Sequence, residues 1–214
     1  MNRLLVIDEF LLPDHTNLDP WDQCYYIMNY IPGKRLDYNA ENQLIHNFKK
    51  SLEYRGSISW GYKVGAINKF CQIFREVILP TISIPHCTLV PIPPSKTKQN
   101  QLYDDRMIQV LNEARNIEGS DVRELIYLLN DMVPMHNSTR RRSVDELLVN
   151  LAIDQSLING IRENIILFDD MITTGAHFIA CKRLLQQTFP NVNVIGIFLS
   201  RRDPDPLELF SELV

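Results

Sequence analysis

Between residues 165 and 178 the chain reads Ile165-Ile166-Leu167-Phe168-Asp169-Asp170-Met171-Ile172-Thr173-Thr174-Gly175-Ala176-His177-Phe178. The residue types in this stretch suit a phosphorylated sugar. Asp169 and Asp170 are adjacent carboxylates, which accept hydrogen bonds and repel phosphate, so they fit a sugar diol or a hydrated Mg²⁺. Thr173, Thr174, Gly175, Ala176 and His177 supply hydroxyls and main-chain N–H groups. At a helix N-terminus such groups meet an anion with unpaired donors and a positive dipole end.

The elements that must position these groups are legible around them. The unbroken apolar run Ile165–Phe168 reads as a buried parallel strand that stops at the two acids, and Gly175 opens an amphipathic helix through Phe189. Ligands of open α/β sheets sit beyond the carboxyl ends of such strands. A second buried strand, Cys87–Val90, runs into Pro91-Ile92-Pro93-Pro94-Ser95-Lys96, a proline-stiffened loop whose hydroxyl and amine suit a second anion. Tyr103 to Gly119 reads as a helix with Met107, Val110, Leu111, Ala114 and Ile117 inward. Arg106 opposes the dipole at its start, which leaves a role at an anion site or a surface ion pair. Between residues 134 and 142 lies a polar loop ending in Arg140, Arg141 and Arg142, and the capping box Ser143-Val144-Asp145-Glu146 then starts a helix with Leu147, Leu148 and Leu151 inward. Asp121–Leu129 reads as either strand or helix, with fold order favouring a strand centred on Leu125–Leu128, and Val192–Ser200 closes the set.

The stretch around Asp169 resembles the 5-phosphoribosyl-1-pyrophosphate (PRPP) motif of type I phosphoribosyltransferases: apolar residues, two acids, then a Thr-Gly phosphate loop. The resemblance implies an α/β, Rossmann-like fold with a mainly parallel sheet flanked by helices. It implies that Asp169 and Asp170 hold the ribose hydroxyls and, through water, Mg²⁺, and that Thr173 to His177 hold the 5-phosphate. By the same resemblance Ser95 and Lys96 belong to a pyrophosphate loop, and the arginine-rich segment is a flexible catalytic loop. The implied reaction transfers phosphoribose to a nitrogenous base or amine and releases pyrophosphate. Mg²⁺ with Lys96 and one or more of Arg106, Arg140 and Arg141 would neutralise the leaving group. One position departs from the pattern: the family usually has Thr or Ser where His177 stands, and an imidazole ordinarily titrates near neutrality.

Residues 1–85 do not resemble the core of that family, and they read as an N-terminal α+β hood or lid over residues 86–214. A strand is predicted at Cys24–Ile31, a helix at Asn39–Leu52 and a longer helix at Gly61–Leu79, with the stripe Val64, Ile67, Cys71, Phe74 and Ile78. Aromatic and basic residues interleave here, from Tyr25, Tyr26 and Tyr30 to Arg55, Trp60 and Lys63, as a single-strand nucleic-acid platform or as a solvated face. A net charge of −4 provides no global basic field for nucleic acid. Cys24, Cys71, Cys87 and Cys181 lack the short spacing of a zinc site. No apolar run approaches a membrane span, and the first residues do not read as a signal peptide, so a cytoplasmic protein is expected. PRPP or a nucleoside monophosphate is the expected ligand, with a homodimer left open. The alternative is a non-catalytic sensor of PRPP or nucleotide, or an accessory subunit of a DNA-uptake or defence complex that docks through the hood.

Overall fold

A computed structural model of the chain describes residues 3–34, 38–132 and 142–204. In chain order its strands are β1 (Leu5–Val6), β2 (Cys24–Tyr30), β3 (Cys87–Pro91), β4 (Ile126–Leu128), β5 (Leu151–Ile153), β6 (Asn164–Ile172) and β7 (Asn193–Arg202). Its α-helices are α1 (Ala40–Phe48), α2 (Trp60–Ile73), α3 (Arg106–Leu111), α4 (Val144–Leu148) and α5 (Ala176–Thr188). The main sheet has the order β1-β2-β7-β6-β3, all parallel except the short edge strand β1. Mixed α/β architecture with helices on both sheet faces is thus established.

Strand alternation explains why β6 is apolar throughout its first half. Successive side chains point to opposite faces, and both faces are covered. Ile165 and Leu167 join one apolar cluster with Phe178, Cys181 and Leu185 of α5, Leu147 of α4, and the β4–β5 pair. Ile166 and Phe168 join the other, with Phe48 of α1, Phe70 of α2 and Val110 of α3. Consequently the helix after β3 lies on one face and the helix after β6 on the other. The carboxyl ends of these neighbouring strands therefore flank a crevice, the usual place for a ligand in an open α/β sheet.

Local sequence accounts for the helix ends. The Asn39 side chain accepts from the Asn42 N–H at 2.6 Å, and Ser143 with Glu146 forms a reciprocal capping box. α2 keeps most of its expected stripe buried and continues into a π turn over Phe74–Ile78, but Val64 is exposed and Lys63 is buried instead. The Lys63 ammonium compensates by donating to the carbonyls of Phe48 and Lys50 at 2.8 and 3.0 Å and to Asp104 at 2.7 Å.

Three expectations change. The division at residue 85 marks no boundary among the described residues: β2 pairs in parallel with β7, and one apolar cluster joins Ile27 and Phe70 to Leu89 and Ile197. The N-terminal region is therefore part of the sheet and its cover. Leu125–Leu128 does contain a strand, yet β4 pairs antiparallel with β5 in a separate two-stranded sheet. Its alternation, with Ile126 and Leu128 buried around exposed Tyr127, suits a sheet covered on one face. Leu151, expected inside a helix, opens β5, because Asn150 turns the chain by bonding both the N–H and the carbonyl of Asn130 at 2.9 Å.

The tightest position in the sheet is Gly196 of β7, paired with Leu167 on one side and Cys24 on the other. A Cβ there would lie 2.8 Å from the Phe198 ring, 3.0 Å from the Phe178 ring and 3.1 Å from the Cys24 sulfur. Gly196→Ala is expected to cost about 1–3 kcal/mol through overpacking. Urea denaturation of the two proteins measures it, and equal midpoints would contradict this account of the packing.

Candidate functional site

The paired acids part company because β6 does not end before them. Its ladder to β7 continues through Asp169↔Phe198, Met171↔Ser200 and Ile172↔Arg201. Adjacent residues of a strand face opposite sides, so Asp169 points toward the α4–α5 side and Asp170 toward α1, α2 and α3. The expectation that both carboxylates meet one sugar is corrected here by strand geometry.

Asp170 is buried and already paired. It accepts from the Arg106 guanidinium through Nε at 3.0 Å and through Nη2, and from Lys49 at 3.2 Å. Burial alone would raise its pKa, but Lys49 and Arg106 together outweigh that effect and hold the carboxyl far below the usual range. Arg106 also bonds Asp104, which in turn takes the Lys63 ammonium. Arg106 therefore belongs to an internal ion network, which explains a cation at a helix start without invoking a leaving group. Both oxygens of Asp170 already accept from cations, Oδ1 from Lys49 and Oδ2 from Arg106, so its charge is engaged in pairing on this face of the sheet.

Asp169 is half-buried and lines a cavity of about 230 Å³ at the carboxyl end of β6, the main cavity here because it holds the expected phosphate loop. Its Oδ1 accepts from the Asp170 N–H at 2.7 Å. Burial, and then the charge of Asp170, push its pKa up to about 7. Thr173, Thr174, Gly175, Ala176 and His177 all line the same cavity, together with Arg142 and Arg202. Asp169 and Thr173 through His177 are the groups that the sequence reading brought together and that line one cavity here; Arg142 and Arg202 were not among the expected site residues.

The loop carries main-chain donors at the start of α5. Gly175 has φ +84°, a left-handed conformation that favours glycine, and no side chain caps α5. The N–H groups of its first turn have no intrahelical acceptors and are open to a ligand. The carbonyls of the loop are turned away and held: His15 Nδ1 bonds the Thr173 carbonyl, and the Asn17 N–H and Nδ2 donate to the Thr174 carbonyl at 2.9 and 3.2 Å. In a trans peptide the N–H points opposite the carbonyl, so this arrangement turns the N–H groups of Thr174 and Gly175 away from His15 and Asn17. His177 behaves differently from a free imidazole. Burial, then the neighbouring Arg142, push its pKa down to about 4, so it is neutral at pH 7 and can donate one hydrogen bond without adding charge.

Of the other expected groups, those among the described residues do not line this cavity. Ser95 is exposed and Lys96 pairs with Asp131 at 3.6 Å; neither lines the main cavity. A narrow crevice beside Pro91–Pro94 is lined instead by Asp104, Asp105, Arg106, Glu124 and Asp169. Arg140 and Arg141 lie outside the described residues. The cation–aromatic set is divided as well: Tyr26 and Lys63 are buried, Lys49 faces Asp170, and Arg55 stacks over Trp60 at 5.5 Å. No helix among the described residues is long and apolar enough to cross a membrane.

Sequence reasoning missed His15, Asn17 and Lys49. A proline-rich loop and a helix end carry no pattern tying them to residues more than a hundred positions away. The opposite facing of Asp169 and Asp170 was readable in principle, since Met171 and Ile172 continue a strand pattern past the acids. A comparison of the chain with protein-family models and with curated proteins finds no match, so the site is interpreted from its own geometry.

Two expectations separate the acids. Asp170→Asn removes one of the two carboxylates that neutralise Arg106, leaving Asp104 against three cations, and should destabilise the fold by about 2–3 kcal/mol. Asp169→Asn should do the reverse as pH rises. The folded pKa of Asp169 lies above its unfolded value, so ionisation makes the native state less stable between about pH 4 and pH 7. The stability of Asp169→Asn relative to wild type should climb across that window and level off above it, as read from urea midpoints at each pH. A pH-independent difference would mean that Asp169 is not held protonated.

Proposed function

We propose that this chain binds PRPP, or a ribose 5-phosphate nucleotide, and transfers phosphoribose to a nitrogenous base or amine with release of pyrophosphate. The observation that carries the reading is one cavity, at the carboxyl end of β6, holding Asp169 and the whole loop from Thr173 to His177. Its volume of about 230 Å³ is below the ~300–1,000 Å³ typical of drug-sized ligand sites, which favours a sugar phosphate over a dinucleotide.

In this reading the 5-phosphate lies against the first-turn N–H groups of α5, with the Thr173 and Thr174 hydroxyls and neutral His177 as further donors. Arg142 and Arg202 on the cavity wall add positive charge toward the same phosphate. Asp169, once ionised, accepts from the ribose hydroxyls. Mg²⁺ is commonly held by one or two carboxylates plus substrate phosphates, so the single open carboxylate of Asp169 fits an ion that arrives with the substrate. When bound, Mg²⁺ would neutralise charge growing on the departing pyrophosphate. The chain's own contribution is positioning: anchoring the phosphate fixes the anomeric carbon against the crevice between β3 and β6.

One observation favours a second reading, a sensor or accessory subunit that binds without turnover. Asp170 and Arg106 are bound to each other and Lys96 pairs with Asp131, so three groups expected to serve ribose and pyrophosphate are otherwise engaged. Calorimetry with Mg²⁺ and PRPP, followed by a pyrophosphate-release assay against a panel of bases, separates the two. Binding with release supports the transferase, and binding without release supports the sensor. No binding by the wild-type chain refutes both.

The ionisation of Asp169 provides a sharper test. Because ribose hydroxyls and Mg²⁺ select the carboxylate, Mg²⁺-PRPP affinity, corrected for ligand ionisation, should rise about tenfold from pH 6 to pH 8. Asp169→Asn should abolish that pH dependence and weaken binding at pH 8 by at least the same factor.

A further inference from the structure

We infer that His15 is a positioning residue for the phosphate loop, acting from the N-terminal segment through the Thr173 carbonyl. The inference rests on the phosphate-binding reading above and extends it to residues with no place in the PRPP motif.

A carbonyl oxygen only accepts, so the bond to Thr173 assigns the proton of His15 to Nδ1. That leaves Nε2 as an acceptor, and among the described residues it has no partner although the side chain is 0% exposed. An unpartnered buried acceptor destabilises a fold, and an apolar side chain would avoid the penalty. Packing alone therefore does not explain a histidine here, whereas its bond to the loop does. The brace continues along the segment. Asn17 takes the next carbonyl with two donors, and Leu18 fills the space beside Gly175, its Cδ2 only 2.7 Å from where a Cβ would stand. The segment is tied down in turn by Asp14, which pairs at 2.8 Å with buried Arg201 of β7. With the Thr173 and Thr174 carbonyls held in this way, the following N–H groups keep one direction before any ligand arrives. Such preorganisation raises affinity by removing an ordering cost from binding.

The test titrates the full chain with inorganic phosphate and with ribose 5-phosphate by calorimetry, alongside thermal melting. His15→Leu removes the bond to Thr173 and the orphan acceptor together. It should melt close to the wild-type temperature, relief of the orphan acceptor offsetting the lost bond to Thr173, while binding both ligands at least tenfold more weakly. His15→Asn presents an amide donor close to the position of Nδ1 and should recover affinity to within about threefold. If His15→Leu does not fold, half-buried Asn17→Ala tests the same brace and should weaken binding about threefold or more with a normal melt. Wild-type binding that is unchanged in His15→Leu, or in Asn17→Ala where that variant stands in, overturns the positioning role and leaves the phosphate site intact. Failure of the wild-type chain to bind either ligand removes the phosphate site itself, and the inference with it.

Discussion

The burial of Asp170 is the constraint around which the structure is arranged. A carboxylate in the interior must find opposite charge, and this one finds it in Arg106 and Lys49. Through Arg106 the network reaches Asp104 and then Lys63, whose ammonium also satisfies the carbonyls of Phe48, the last residue of α1, and Lys50 just beyond it. One set of charges thus ties the C-terminal end of α1, α2 and the start of α3 to β6. Formally three cations face two carboxylates within it. Asp169 stands outside the network on the other face of β6 and titrates near neutrality.

That separation gives the two acids different work. Asp170 holds the helices of one face in register with the sheet, while Asp169 meets the cavity on the other. A two-residue motif that looks like a single binding unit in one dimension is divided by the pleat of a strand. On the cavity side the loop after β6 depends on an equally remote partner, the segment from Asp14 to Leu18, which fixes its carbonyls. The strand that carries the site is therefore tied from two directions: to α3 through Arg106, and through its neighbour β7, where Arg201 holds Asp14.

Much of the architecture was legible because it follows from short-range rules. β6, β7, β3 and β2 are apolar runs, α1 has an Asn39 cap and an inward Ile45 and Phe48, and α4 has its capping box. The strand favoured at Leu125–Leu128 is present, but its pairing and the strand after Asn150 were not legible for a common reason: β4 and β5 stabilise each other, and neither is defined without its partner. Residues 1–85 gave no sign of belonging to the main sheet, since the register of β2 against β7 depends on a partner about 170 positions away.

Taken alone, the sequence determined the α/β class and the cluster of phosphate-type donors from Thr173 to His177. Those depend on residue type and on neighbours within one turn of helix or one strand. Tertiary structure decided which acid faces the cavity, that Arg106 neutralises Asp170, that burial beside Arg142 keeps His177 neutral, and that His15 and Asn17 brace the loop. Each of these depends on distance and desolvation between residues far apart in the chain, and spacing along a sequence carries no measure of either.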